Sequence, residues 1–216
     1  MKKLIEIPGR WALAKLDLLS SYSLRVGGPL KESGWFRSFR EGRSVDQTGA
    51  PIPWFSYPAI EFLCRRVRPE MRVFEYGCGA STSWWAGKVA SVVACEHDEA
   101  WYRQVAARVP RQAELHYVPL VYGGEYCQMI QKYHEEFDVV VIDGRDRVNC
   151  AQNSIGALNT GGVIIWDNSD RREYEPGLTF LRAKGFKQLE FIGLGPIVAI
   201  QSETSILYRA ENCFGI

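Results

Sequence analysis

The run from Asp138 to Asp143, DVVVID, constrains the fold of this chain more than any other stretch. Its apolar, β-prone core has no polar face, so the strand it predicts must be covered on both sides. Such a strand belongs inside a parallel sheet, where helical crossovers cover both faces. The chain from residue 72 onward agrees. Strands are predicted at 72–76, 91–96, 113–118, 138–143 and 162–166, each followed by a helix, at 81–88, 98–108, 125–135, 149–158 and 175–184. Asp98 is placed to cap one of these helices and Gly185 to end another. Two more strands follow at 187–192 and 204–208, joined by GLGPIVAIQS. That linker is too short for a helical crossover, so the last pair should be antiparallel. The expected architecture is α/β, with seven strands, mostly parallel, helices on both faces and an antiparallel last strand.

At 216 residues the chain predicts one domain with a modest extension. Residues 1–56 read as an N-terminal helix and an irregular cap, and residues 57–216 as the catalytic domain. In the first part, Trp11, Leu13, Leu16, Leu18 and Leu19 form a helical stripe over about 10–21, expected to pack on the domain. The stripe would also suit a membrane surface. Trp35, Phe36, Phe39, Trp54 and Phe55 argue for an ordered cap over the sheet edge or the active site. Ser56 is expected to cap a helix over about 58–66. The net charge of +1 implies no nucleic-acid partner. No run of about 18 apolar residues occurs, so no membrane span is expected. Six cysteines without a CxxC pair read as reduced thiols, which makes the cytoplasm the expected compartment. The oligomeric state is left open.

The chemistry gathers at predicted strand ends. Arg72–Tyr76 runs into Gly77-Cys78-Gly79, and Ser81 and Thr82 then open a helical segment. Glycines let a chain turn sharply and let a ligand approach without meeting a Cβ. Helix starts present free N–H groups, and ligands of open α/β sheets sit at strand carboxyl ends. Glu96 ends the second strand, where a carboxylate can accept both hydroxyls of a ribose. His97 beside it reads as a pocket-wall residue. Asp143 ends the fourth strand and Asp167-Asn168 the fifth. Oxygen donors on adjacent strand tips could share one hard cation, and Mg²⁺ suits them. Arg145, Arg147, Arg171 and Arg172 lie in the same loops. They read as solvated charge or as contacts to an acidic or sugar-bearing substrate.

Five strand–helix units and a terminal hairpin resemble the Rossmann-like class I S-adenosylmethionine-dependent methyltransferase fold, from about Glu61 to the C-terminus. The family's first motif is an acid followed by spaced glycines. Here it reads Glu75-Tyr76-Gly77-Cys78-Gly79-Ala80-Ser81, with Ser81 in place of a third glycine. The resemblance implies S-adenosylmethionine as cofactor, with Glu75 near its methionine ammonium and Gly77, Cys78, Gly79, Ser81, Glu96 and His97 around it. The trio Asp143, Asp167 and Asn168 is similar to the metal site of catechol-type O-methyltransferases. Those enzymes carry a lysine base three residues after the first metal aspartate, and this chain has Asp146 there. Asp143, Asp146 and His134 are therefore the catalytic candidates. The expected reaction is methylation of a hydroxyl on a small-molecule or glycan acceptor. Two alternatives stand beside it: a nicotinamide-dependent oxidoreductase, and a non-catalytic domain that keeps the cofactor fold. Against the first, the third glycine position of GxGxxG is Thr82.

Overall fold

Seven strands make one sheet in this computed structural model, which describes residues 10–16 and 18–216. They are β1 (Arg72–Tyr76), β2 (Ser91–Glu96), β3 (Ala113–Tyr117), β4 (Phe137–Ile142), β5 (Leu158–Asp167), β6 (Lys187–Leu194) and β7 (Gln201–Tyr208). Their order across the sheet is β3-β2-β1-β4-β5-β7-β6. The first five are parallel. β7 enters between β5 and β6 and is antiparallel to both, as the short linker required. The expected sheet is the observed one. Both last strands run longer than predicted, because the hairpin ladder continues to Leu194↔Gln201.

Period-two alternation divides the sheet into two cores. Phe74, Tyr76, Val140, Ile142, Ile164 and Trp166 face one side, against α8 (Glu125–Gln128), α9 (Arg147–Ser154) and α10 (Glu175–Ala183). Val73, Val139, Val141, Val163, Ile165 and Ile206 face the other, against α5 (Tyr57–Cys64) and α6 (Ala80–Ala86). α7 (Glu99–Ala106) follows β2 and places Val105 against Cys78 and Ala94. Asp98 caps it, its Oδ1 accepting from the Trp101 N–H at 2.9 Å. The helix expected over 125–135 ends at Gln128 and continues as a tighter turn, Met129–Lys132. Four of the six cysteines, Cys78, Cys95, Cys127 and Cys150, are buried.

The amino-terminal part departs from expectation. The single helix expected over 10–21 is two, α1 (Arg10–Lys15) and α2 (Leu19–Val26), and Asp17 lies outside the described residues. The stripe does not pack on the domain: Trp11, Leu16 and Leu18 are exposed. The cap is also more helical than expected, with α3 (Pro29–Glu32) and α4 (Trp35–Glu41). It is tied to the β6–β7 hairpin. Trp35 Nε1 donates to Val198 O at 2.8 Å, and Ile197 N–H donates to Ser38 Oγ at 3.1 Å. Ser56 does not cap α5; its hydroxyl donates to Phe191 O at 2.8 Å. Among the described residues, no helix is long and apolar enough to cross a membrane.

Candidate functional site

The strand registers put four polar residues and one glycine in a single row. Tyr76 pairs with Cys95 and with Ile142, and Ile142 pairs with Trp166. One residue further on, Glu96, Gly77, Asp143 and Asp167 stand side by side, and Asp167 pairs with Thr204. The ladder does continue that far, since Gly77 N–H donates to Cys95 O at 2.8 Å and Asp143 N–H to Tyr76 O at 3.2 Å. All of these positions share the face of Val141 and Ile165 by alternation. Gly77 is thus a position without a side chain between two acids, packed against the backbone of Gly144. Its φ is +92°, a conformation that favours glycine, and a Cβ there would lie 3.2 Å from Gly144 Cα.

Glu75 lies one alternation below Gly77 on the same face. It is 1% exposed, and its Oε2 accepts from Thr82 Oγ1 at 2.5 Å. The same hydroxyl accepts from Gly79 N–H at 2.9 Å, which fixes the start of α6. Glu75 Oε1 is buried with no hydrogen-bond partner. Burial pushes the carboxyl up to about 8, with the nearby Ser81 and Thr82 hydroxyls opposing the rise. Asp143 and Glu96 add repulsion in the same upward direction.

Glu96 stands beside Gly77 on the β2 side. Its Oε2 accepts from Cys78 N–H at 3.1 Å, and its Oε1 accepts from His97 N–H at 2.8 Å and Asp98 N–H at 2.9 Å. His97 Nδ1 lies 2.7 Å from Glu96 Oε1. Trp101 lies over the turn, its Nε1 donating to Cys78 O at 2.6 Å. Burial, then Glu96 and Glu75, push the Cys78 thiol far above its ordinary range, so this sulfur is wall rather than nucleophile.

Arg147 fills the space between the tips of β4 and β5. It is 7% exposed. Its Nε donates to Gly144 O at 3.0 Å, and its Nη2 donates to Asp143 O and Oδ1, each at 3.1 Å. Its Nη1 donates to Asp167 O. Asp167 Oδ1 accepts from Thr204 Oγ1 at 2.7 Å, and Thr204 Oγ1 accepts from Ser56 N–H at 3.1 Å. The cap is thereby joined to the row. Burial raises the Asp143 and Asp167 carboxyls, and Arg147 opposes the rise at both.

Comparison with known protein families finds no match, and comparison with curated proteins finds none either. Solved structures do match. A Geobacter metallireducens precorrin-6y C5,15-methyltransferase superposes with a TM-score of 0.55 at 11% identity, over 71% of this chain and 87% of that one. A Thermotoga maritima S-adenosylmethionine-dependent O-methyltransferase gives 0.54 at 15%, over 73% and 67%. A Streptococcus thermophilus rRNA methylase gives 0.53 at 16%, over 70% and 96%. The fold is that of the class I S-adenosylmethionine-dependent methyltransferases. Dinucleotide-binding sheets share the order 3-2-1-4-5 but continue to a sixth parallel strand. Here the antiparallel β7 takes the place beside β5.

The residues suit the cofactor of that fold. A buried carboxylate with an unpartnered oxygen, a glycine turn without a side chain and a second carboxylate follow one another across β1 and β2. Such a cradle matches an ammonium and a ribose diol on one ligand.

They lend Mg²⁺ no support. Among the described residues, no three His, Cys, Asp or Glu side chains are grouped to hold a metal ion. The Arg147 guanidinium already supplies the positive charge at the Asp143 carboxylate. Asn168 follows at φ +53°, outside the strand. Asp143 and Asp167 therefore adjoin as expected, with Arg147 on the Asp143 carboxylate and on the Asp167 main-chain oxygen.

The structure also separates the base candidates. His134 is exposed and precedes β4, whereas Asp143 follows it. Six strand residues at about 3.3 Å each put His134 roughly 20 Å from the row. Asp146 is near but committed: its Oδ2 accepts from Gly123 N–H at 2.8 Å and its Oδ1 from Asn149 Nδ2 at 2.7 Å. It holds the β3–α8 loop to α9. Asp143 alone of the three stands in the row.

Sequence reasoning missed Trp101, Tyr126, Gly144 and Thr204 as parts of this site, and read Arg147 as a surface charge or a substrate contact. The Asp143–Arg147 spacing of four was the one local signal available. Gly144 is needed because a Cβ there would overlap the Tyr126 hydroxyl and lie 3.0 Å from Gly77 N. Gly144→Ala should cost about 1–3 kcal/mol, the usual penalty of overpacking. Urea unfolding of the variant checks this, and an unchanged midpoint would show that the tips of β1 and β4 are less tightly apposed.

Proposed function

We propose that the protein is a methyltransferase that moves a methyl group from S-adenosylmethionine to a hydroxyl of a small-molecule or glycan acceptor, without a divalent metal. The observation that carries this reading is Glu75 Oε1, buried and without a hydrogen-bond partner one alternation below the Gly77 turn. The cofactor would supply an electrophilic methyl on a sulfonium. Glu75 would hold the ammonium and Glu96 the ribose hydroxyls, with Gly77, Cys78, Gly79 and Ser81 lining the turn between them. Trp101 and His97 would wall the nucleoside end. Asp143 would orient the acceptor hydroxyl and take its proton as the oxygen attacks, and burial suits it to that work by raising its carboxyl. Arg147 would fix Asp143 in place without reaching the acceptor. Direct displacement depends chiefly on such positioning.

The Thermotoga maritima neighbour is by name an O-methyltransferase, which supports an oxygen acceptor. The Streptococcus thermophilus neighbour is an rRNA methylase, so the fold alone does not choose between acceptors. The near-neutral charge of +1 favours the smaller one. A cytoplasmic setting belongs to the same reading, from the spacing of the cysteines.

Calorimetric titration with S-adenosylmethionine and S-adenosylhomocysteine is the first test, and absence of binding to both would remove the proposal. Glu96→Ala should weaken that binding by about 1–3 kcal/mol, the cost of losing a charged hydrogen-bond acceptor. Unchanged affinity would take Glu96 out of the site.

A further inference from the structure

Two features of the cap stand apart from the row of acids. The first is apolar. Trp11, Leu16, Leu18, Tyr22 and Leu24 are 71, 67, 48, 36 and 44% exposed. α2 buries none of its residues. A soluble helix ordinarily buries one stripe against a core; Leu18 and Tyr22, four residues apart, share a stripe at α2 that is left exposed, and exposed apolar groups of this kind mark an interaction surface. The basic groups stand among them: Lys15 Nζ lies 4.1 Å from the Trp11 ring centroid, and Arg25 follows Leu24.

The second feature is a cavity of about 410 Å³ between α2, α3 and α4. Arg25, Lys31, Arg37 and Arg40 line it, with Glu41 as the one acid. Arg37 Nε bonds that acid at 2.7 Å. Lys31 Nζ bonds only a neutral group, Val26 O, at 2.9 Å. The cavity therefore keeps an excess of positive charge.

We propose that this cap is a docking surface for an anionic lipid bilayer, with Trp11, Leu16, Leu18 and Tyr22 entering the interface and the cavity receiving a lipid phosphate. Charge complementarity selects the occupant. A second copy would bring the same cations against each other, whereas an anionic bilayer offers acyl chains to the apolar groups and phosphates to the basic ones. α2 contributes Tyr22 to the first set and Arg25 to the second, three residues apart on one stripe, so one surface engages both. Interfacial segments have this composition: Trp and Leu on one side and Lys and Arg on the other. The inference rests on the cap and is independent of methyl transfer.

The test is sedimentation of the full chain with vesicles of phosphatidylcholine alone and of phosphatidylcholine with phosphatidylglycerol. Binding is expected to the anionic vesicles, weakened by salt. Trp11→Ser with Leu16→Ser should abolish it; both side chains are exposed, so folding is spared. Arg25→Gln with Lys31→Gln and Arg40→Gln should weaken it about a hundredfold, at about fivefold per basic group. Cofactor affinity should be unchanged in both variants, which keeps this outcome distinct from the fate of the proposed active site. Four results would each overturn the inference: no binding to either vesicle, equal binding to both, binding unaffected by the substitutions, or apolar residues serving only a dimer seen by ultracentrifugation. Tight binding of inorganic phosphate without vesicle retention would do so as well, making the cavity a site for a soluble anion.

Discussion

Arg147→Ala should destabilise the protein by about 3–5 kcal/mol, the range for removing one partner of a buried charge pair. The guanidinium bonds Asp143 Oδ1 and the backbone oxygens of Asp143, Gly144 and Asp167. Without it those oxygens lose their donors, and the Asp143 carboxylate loses its counter-charge in a largely buried place. Its removal also strips the opposing cation from Asp167, whose carboxyl is already raised by burial and by Asp143. Urea unfolding measures the loss. Arg147→Lys should recover only part of it, because an ammonium cannot fork between the two strand tips. A variant as stable as the parent would mean that Arg147 does not join β4 to β5. The same geometry makes a statement about metals. The parent protein should take up no manganese by calorimetry, and its activity should be indifferent to magnesium or to a chelator. Stoichiometric uptake at Asp143 and Asp167 would restore the divalent site that their positions suggested.

Cofactor affinity should rise steeply with pH, by roughly tenfold per unit below the Glu75 value of about 8. Glu75 ionises near 4.5 when unperturbed and near 8 in the folded protein. Between those values the folded state binds more protons than the unfolded one. Stability of the ligand-free protein from this group is therefore greatest at the acid end and falls as pH rises through the window. A cation seated against Glu75 reverses the preference, because it favours the carboxylate. Binding at pH 7 should then release close to one proton, read as a dependence of the calorimetric enthalpy on buffer ionisation. Glu75→Gln keeps the shape and removes the charge. It should flatten the pH dependence of both stability and affinity, and weaken binding at pH 8 about ten- to a hundredfold. Full proton release in that variant would assign the proton to Asp143 or Asp167 instead.

The strands were legible because their information is local. Arg72–Tyr76 and Ser91–Glu96 begin and end where the apolar runs do. The antiparallel end followed from the length of one linker. Glu75, Gly77 and Glu96 were readable for a related reason: a strand that ends in a glycine turn carries its neighbours to the carboxyl edge, whatever the packing around it.

What lay beyond the sequence depended on distances between segments. His134 was counted with the site because a sequence does not display the length of β4 as a separation in space. Asp146 looked free because its partner, Gly123 N–H, comes from another loop. Asp143 and Asp167 looked like metal ligands in the sequence, which does not show that the start of α9 brings a guanidinium to the Asp143 carboxylate. The apolar stripe over 10–21 gave a helix in pieces, and no core received it. Local sequence fixed which segments bury both faces, because burial is written into each side chain. Only the tertiary fold decided which charges meet, because Coulomb and hydrogen-bond energies depend on separations that strand register and loop paths set together.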